Sequence, residues 1–491
     1  MSIEYKDLAS IQETRQLLAK AKEAQLKLAQ LSQEEIDTIV KVLSKAAYSQ
    51  RVPLAKMAAE ETGFGKWQDK VIKNAFASKY VTQAMEDMRT IGIINETDTV
   101  TEVAVPKGVI AGLIPSTNPT STVIYKALIS IKAGNTIVFS PHPSALKSII
   151  ETVKVMNEAG VKAGLPENSI NVITTVTMDA TQELMTNNDT NLILATGGSA
   201  MVKAAYSSGT PAIGVGPGNG PAFIENSADV PLAVKQIMES KTFDYGTVCA
   251  SEQSIIVEKN NKERVVKELE KQGAYFLPKA DAEKLEKFIL RPDGRMNAKI
   301  VGRSPQYVGD LAGIDVPVSA KVLIAEESRV GIHAPYSREK LSTILAFYTV
   351  DTWKEALELS INILNQEGAG HTMGLHSKND AIIKEFTLKA PVSRLLINTS
   401  ATLGGIGATT DIFPAMTLGC GSVGGSSTSD NISPMNLFDI RRAAKGVKEL
   451  DDIKRAENIK VDDVATDTSK VDINEDQLLD LLVEKVLQKL K

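Results

Sequence analysis

The chain has 491 residues, 43% of them hydrophobic and 23% charged, with a formal net charge of −5. That length predicts two or three domains, and the mild acidity offers no basic field for nucleic acid or an anionic membrane. Two cysteines make no disulfide framework and point to a reducing, cytoplasmic setting; no apolar run reaches the ~20 residues of a membrane span.

The opening, MSIEYKDLASIQETRQ, carries acids from the start and lacks the apolar core of a signal peptide. Residues 8–90 read as helices. Leu17, Leu18, Ala21, Ala24, Leu28 and Leu31 recur at spacings of three and four, and Ser32 with Glu35 predicts a capping box for the next helix. From Ile91 to Val105 the pattern turns β-like and stops at Pro106. A strand–turn–helix grammar then repeats. GVIAGLIPSTNPTS leads into a helix from about Val123, NTIVFSPHPSA into one over Ala145–Ala159, and SINVITTV and NLILATGGSAMVKAAYSSG keep the plan. Such alternation predicts an α/β fold with a parallel, doubly wound sheet and ligands at the carboxyl ends of its strands.

A second strand–helix series from Gln253 to about Asn398 predicts a second α/β domain. The Gly-rich run 401–434 has few helix formers and reads as a long ordered loop of functional character. Residues 451–471 are polar and aromatic-free, a linker by composition. The tail, 472–491, is an amphipathic helix. Asn474 caps it, Glu475 and Asp476 suit its amino end, Lys485, Lys489 and Lys491 suit the other, and Leu479, Leu482, Val483, Val486, Leu487 and Leu490 line one face.

Cys249 lies in FDYGTVCASEQSIIV, between a Gly-containing turn and the apolar run Ser254–Val257. Backbone N–H groups of such a turn can favour the thiolate, the reactive form of a nucleophile. A packed, inert thiol is the competing reading.

The segments IPSTNPTS, FSPHPSA, ATGGSAMVKAAYSSGTPAIGVGPGN, FDYGTVCASEQS, EGAGHT, SRLLIN and LGCGSVGG occur in this order over roughly residues 10–450. Together they resemble the CoA-acylating branch of the aldehyde dehydrogenase superfamily, in particular the aldehyde dehydrogenase half of bifunctional aldehyde–alcohol dehydrogenases and the acylating enzymes of bacterial microcompartments. The resemblance implies an aldehyde dehydrogenase fold. Residues 1–240 would hold the N-terminal helices and a Rossmann-like dinucleotide-binding domain, and 241–430 the catalytic domain. Residues 91–105 with 430–445 would be β-type oligomerisation elements of a homodimer or homotetramer, 431–450 being the return segment to the cofactor and oligomerisation region. No iron-dependent alcohol dehydrogenase half follows within the chain, so only the first activity is expected.

The same resemblance assigns chemistry. Cys249 would attack an aldehyde carbonyl, hydride would pass to a nicotinamide, and coenzyme A would take the acyl group from the thioester. Asn118 and the Cys249 backbone N–H would hold the developing alkoxide, although Asn118 is equally a turn residue before Pro119. His371 in EGAGHT would assist proton transfer to or from CoA, or else serve structurally. Cys420 in LGCGS would be a packed residue near the site.

Hydrolytic relatives carry a glutamate that activates water; Val215 in GVGPGN occupies its place, so water loses its general base and CoA becomes the acceptor. The expected cofactor is NAD, with NADP the variant. Its contacts would be Pro115, Ser116, Thr117, Ser140, His142, Thr196, Gly197 and Gly198, with Glu339 on the nicotinamide ribose unless it is an exposed helix-start residue. The run GVGPGNG is neither GxGxxG nor a Walker loop, and no ligand spacing suggests a metal.

The expected substrates are acetaldehyde or propionaldehyde with CoA. Rival readings are a charged aldehyde such as succinate semialdehyde or sulfoacetaldehyde, a hydrolytic dehydrogenase, and an inactive scaffold. The tail has three readings: a contact on its own oligomer, a partner-helix contact, or an encapsulation peptide addressed to a microcompartment shell protein. The last would place the enzyme in a microcompartment lumen within the cytoplasm.

Overall fold

The computed structural model describes residues 5–291, 294, 296–457 and 475–489. The chain forms two compact units, Met1–Ile94 with Val103–Arg441 and Asn95–Glu102 with Arg442–Lys491.

The larger unit opens with the helices Lys6–Leu28, Gln33–Ser49, Arg51–Thr62 and Trp67–Ala75. The first buries Leu18, Ala21, Ala24 and Leu28, the stripe its spacing predicts. The capping box of the second is formed: Glu35 N donates to Ser32 Oγ at 3.3 Å and Ser32 N to Glu35 Oε2 at 2.8 Å.

Among the described residues fifteen strands follow, and numbering them in chain order gives three sheets. Strands β1 (Gly92–Glu96) and β2 (Val100–Pro106) join the last, β15 (Phe438–Ala444), in the order β1-β2-β15. Strands β3 (Val109–Leu113), β4 (Thr136–Ser140), β5 (Ile170–Val172), β6 (Leu192–Thr196) and β7 (Ala212–Val215) form a parallel sheet ordered β5-β4-β3-β6-β7. Its order reverses between β3 and β6, the place where a doubly wound sheet opens a crevice for a ligand.

A second, seven-stranded parallel sheet runs β10-β11-β12-β9-β8-β13-β14. Its strands are β8 (Pro221–Ile224), β9 (Ser254–Glu258), β10 (Ala274–Phe276), β11 (Val322–Glu326), β12 (Ile344–Val350), β13 (Gly370–His376) and β14 (Val392–Ile397). β8, β9 and β13 are buried along their whole length, as parallel strands covered on both faces must be.

The helix after β3, Pro119–Lys132, is buried at every position. Within it Lys126 Nζ donates to the carbonyls of Leu113 at 2.8 Å and Leu194 at 2.7 Å, the last residue of β3 and the middle of β6. A buried amine with two carbonyl acceptors ties the two strands together at the crevice, and burial pushes its pKa well below the usual lysine value.

In the smaller unit Arg442 Nε donates to Glu102 Oε1 at 2.8 Å and Lys445 N to Thr99 O at 2.8 Å. The stretch read as a linker opens with the helix Leu450–Ala456. Its pairs Asp451–Lys454 and Asp452–Arg455, three residues apart, favour the helix locally. The tail helix spans Glu475–Lys489; Asn474, Leu490 and Lys491 lie outside the described residues. Leu479, Leu482, Val483, Val486 and Leu487 on it are all exposed. Among the described residues no helix is long and apolar enough to cross a membrane.

Candidate active site

The turn that delivers Cys249 is strained. After the helix Val230–Thr242, Asp244, Tyr245 and Gly246 all take left-handed backbone angles, with φ of 50°, 53° and 73°. Each non-glycine residue held there costs about 1–3 kcal/mol and persists only where its surroundings over-determine it. The surroundings here are explicit. The buried Asp244 carboxylate accepts from Lys66 N at 2.7 Å, Lys70 Nζ at 3.0 Å, Thr247 Oγ1 at 2.8 Å and Lys73 Nζ. Asp244 N donates to Asp69 Oδ2 at 2.8 Å. The turn before the helix Trp67–Ala75 closes over this carboxylate because residue 65 is glycine: a Cβ there would lie 1.8 Å from Asp244 Oδ1.

Cys249 stands in the turn before the amino end of β9, and its neighbours arrive the same way. Gly218 precedes β8, Glu339 precedes β12, and His371 is the second residue of β13. The strands β12, β9, β8 and β13 are consecutive in the sheet, so four segments distant in sequence converge on one edge. It is the amino edge, whereas the carboxyl edge is the general expectation for a parallel sheet.

The contacts are close. A Cβ on Gly218 would sit 1.9 Å from the Cys249 carbonyl oxygen and 3.3 Å from His371 Cε1. Gly218 N donates to Glu339 Oε1 at 2.8 Å. His371 is fully buried; its Nδ1 lies 2.8 Å from Thr372 Oγ1, and its Nε2 has no hydrogen-bond partner among the described residues. The buried Arg394 fixes the backbone around it, donating to His371 O at 3.0 Å and Gly419 O at 2.6 Å. Cys420 is buried, with its thiol 3.6 Å from Leu418 O.

The electrostatics follow from burial. Cys249 is only partly exposed, and desolvation pushes its thiol up to about 12, with Glu339 and Cys420 adding and Arg394 opposing. Resting Cys249 is therefore a thiol. Burial, then Glu367, raises the Glu339 carboxyl to about 8 against the Gly218 N–H that favours its anion. Burial, reinforced by Arg394, pushes His371 down to about 3, so its imidazole is neutral throughout the physiological range.

Asn118 occupies the cap position of the helix Pro119–Lys132 but makes no side-chain cap bond there. Its Oδ1 accepts from Lys73 Nζ at 2.5 Å. Its Nδ2 donates to Thr247 O at 3.3 Å and Thr117 Oγ1 at 3.1 Å. The ammonium fixes which end of the amide is oxygen, and the N–H end faces the backbone two residues before Cys249.

The residues read as cofactor contacts gather at the carboxyl ends of adjacent strands: Pro115, Ser116 and Thr117 beyond β3, Ser140 and His142 at β4, Thr196, Gly197 and Gly198 at β6. Not all of their polar atoms are free. Ser140 Oγ bonds Thr181 Oγ1 at 2.8 Å, and His142 Nδ1 accepts from Ser144 N at 3.2 Å. Gly198 begins the helix Ser199–Tyr206 with no side-chain cap, and a Cβ on it would meet no protein atom within 4 Å. Open space over uncapped backbone N–H groups suits the phosphates of a dinucleotide. Glu339 lies in a loop between the turn Pro335–Ser337 and β12, so it is not a helix-start residue. Val215, the last residue of β7, is 3% exposed and aliphatic.

Lys70, Lys73, Asp244, Gly218 and Arg394 escape a sequence reading. Asp244 and Gly218 stand inside motifs that point to the site, whereas the lysines lie more than 170 residues before Cys249 on an ordinary amphipathic helix.

Residues 4–278 match the model of the aldehyde dehydrogenase family. A solved structure described as a probable aldehyde dehydrogenase from Listeria monocytogenes EGD-e is 65% identical, with a TM-score of 0.91 over 92% of this chain and 100% of that one. An acetylating aldehyde dehydrogenase from Geobacillus thermoglucosidasius is 50% identical, with a TM-score of 0.90 over 91% and 99%. A propionaldehyde dehydrogenase from Rhodopseudomonas palustris, solved with bound CoA and an acylated cysteine, is 26% identical with a TM-score of 0.80 over 88% and 97%. Curated aldehyde-alcohol dehydrogenases also match, the Entamoeba histolytica protein at 43% identity over 442 residues; the chain covers 51% of it, about half the length of these relatives.

Proposed function

The chain belongs to the aldehyde dehydrogenase family, and from that premise we propose that it is a CoA-acylating enzyme, interconverting a short-chain aldehyde, CoA and NAD with acyl-CoA and NADH. Acetaldehyde and propionaldehyde are the proposed substrates. The observation that carries the acyl-transfer reading is that, among the described residues, no ionised and unengaged carboxylate stands beside Cys249 to activate water. Val215 stands where a water-activating glutamate would be, and the nearby Glu339 carboxyl is tied to Gly218 N and raised to about 8 by burial.

Cys249 is the proposed nucleophile. Its sulfur bonds to the aldehyde carbon as the S–H proton passes to water at this partly exposed residue, and the carbonyl electron pair moves onto oxygen. The Asn118 Nδ2–H, which reaches Thr247 O at 3.3 Å, would exchange that long bond for one to the aldehyde oxygen and share it with the Cys249 N–H. NAD would supply the acceptor for the hydride of the carbon bonded to Cys249; Thr196, Gly197, Gly198 and the segment 115–117 would hold it at the crevice between β3 and β6, and Glu339 would meet its ribose. Neutral His371, whose Nε2 has no partner among the described residues, accepts a hydrogen bond from the CoA S–H; as the CoA sulfur bonds to the acyl carbon, the Cys249–acyl bond breaks and the CoA proton ends on the departing Cys249 sulfur. Water, lacking a base, reacts slowly.

The experiment is a mass measurement. Incubation with aldehyde and NAD but no CoA should add one acyl mass to the wild type and none to Cys249→Ala; an adduct retained in the variant would remove Cys249 from its role.

The strands β1, β2 and β15 are the proposed dimer element, and the helix Glu475–Lys489 the proposed encapsulation peptide, supported by its exposed apolar residues. Removing residues 455–491 should leave turnover intact and abolish association with a microcompartment shell; unchanged association would exclude the second assignment.

A further inference from the structure

The helix Trp67–Ala75 sends two lysines into the protein interior. Lys70 and Lys73 are each 2% exposed, and both reach Asp244. Two cations on one carboxylate is more charge than an ion pair requires. Asp244 would remain paired without Lys73, since Lys70 Nζ, Lys66 N and Thr247 Oγ1 all donate to it. Lys70 spends its other contact on the Thr117 carbonyl at 2.9 Å. Lys73 Nζ instead donates to Thr247 Oγ1 at 3.0 Å and to the Asn118 amide oxygen at 2.5 Å. A buried ion pair alone is weak evidence of a stabilising purpose. An ammonium against an amide oxygen, away from water, draws electron density toward that oxygen and strengthens the amide N–H as a donor.

We infer that Lys73 is a positioning residue of the reaction: anchored by Asp244, it fixes the orientation of the Asn118 amide and polarises it toward the aldehyde oxygen on Cys249. The inference rests on the proposed role of Asn118. It also gives the strained turn a reason to exist. The left-handed Asp244 and Tyr245 bring one carboxylate within reach of both the lysine that serves Asn118 and, through Thr247, the chain that carries Cys249. One buried group thereby couples the position of the oxyanion donor to that of the nucleophile.

A double-mutant cycle tests this. Lys73→Met, Asn118→Ala and the double variant are assayed for NADH formation at saturating aldehyde, with and without CoA. Lys73→Met should lower kcat about 10- to 100-fold, less than the ~100- to 1,000-fold of removing an oxyanion donor outright, while KM for NAD and CoA changes less than about twofold. Asn118→Ala should lower kcat at least as much, and adding Lys73→Met to it should cost less than about threefold more. Equal losses from Lys73→Met in the wild-type and Asn118→Ala backgrounds would overturn the inference, as would an unchanged kcat. Should Lys73→Met not fold, Lys73→Gln, which keeps a hydrogen-bond donor for Asn118 but not the charge, runs the same cycle. A wild type whose turnover ignores CoA would refute the acylating reading alone, because the cycle still reports on Lys73.

Discussion

Gly218 lies directly against the backbone of Cys249: a Cβ on it would fall 1.9 Å from the Cys249 carbonyl oxygen. The obstacle is backbone, which cannot swing aside as a flexible side-chain end can. Gly218→Ala must therefore displace either the 216–220 segment or the nucleophile. We expect kcat to fall ~100-fold or more, the scale of a misplacement near 1 Å. The thermal midpoint should fall less dramatically, because the core clusters on either side are untouched. Steady-state kinetics beside a melting curve checks this; wild-type kcat in the variant would show that the contact does not position Cys249.

Glu339 sets a pH signature. Burial, with Glu367, raises its carboxyl from 4.5 to about 8 in the folded chain. Between those values the folded state holds a proton that the unfolded state has released. By linkage, Glu339 therefore withdraws stability as pH rises from about 4.5 to about 8. Glu339→Gln keeps an acceptor for Gly218 N and removes that slope, so its stability relative to wild type should increase from pH 5 to pH 8 in urea unfolding. A constant difference would mean the folded carboxyl titrates normally. If the residue also meets the cofactor ribose, KM for NAD rises in the same variant.

His371 should contribute to the second half-reaction only. Held neutral by burial, which pushes it down to about 3, it gives no inflection in the rate between pH 5 and pH 8. His371→Ala should preserve the first-turnover burst of NADH and slow CoA-dependent steady-state turnover about 100-fold, the lower end of what a positioned proton-transfer group contributes. Stopped-flow traces separate the two phases. A lost burst would place His371 in the first step instead.

The sequence pattern carries much of this architecture because the relevant forces are local. The Ser32–Glu35 box depends on residues three apart, and the strand–turn–helix alternation places Thr117, His142 and Gly198 beyond strand ends without any tertiary knowledge. What stays hidden is tertiary. Lys73 and Asp244 are separated by 171 residues, and nothing in WQDKVIKNA marks its lysines as buried. The amino edge of the seven-stranded sheet is likewise invisible until β12, β9, β8 and β13 are known to be neighbours. Glu339 looks like a helix start in REKLSTILAF because the pattern is polar and then apolar; the chain instead enters the buried strand β12, where tertiary burial overrides local propensity.

The most direct measurement is NADH production from acetaldehyde and NAD at neutral pH, with and without CoA, followed beyond one equivalent of enzyme. Sustained turnover should require CoA and yield acyl-CoA in equal amount to NADH, with no more than a single burst when CoA is omitted. Full-rate turnover to free acid without CoA would contradict the account.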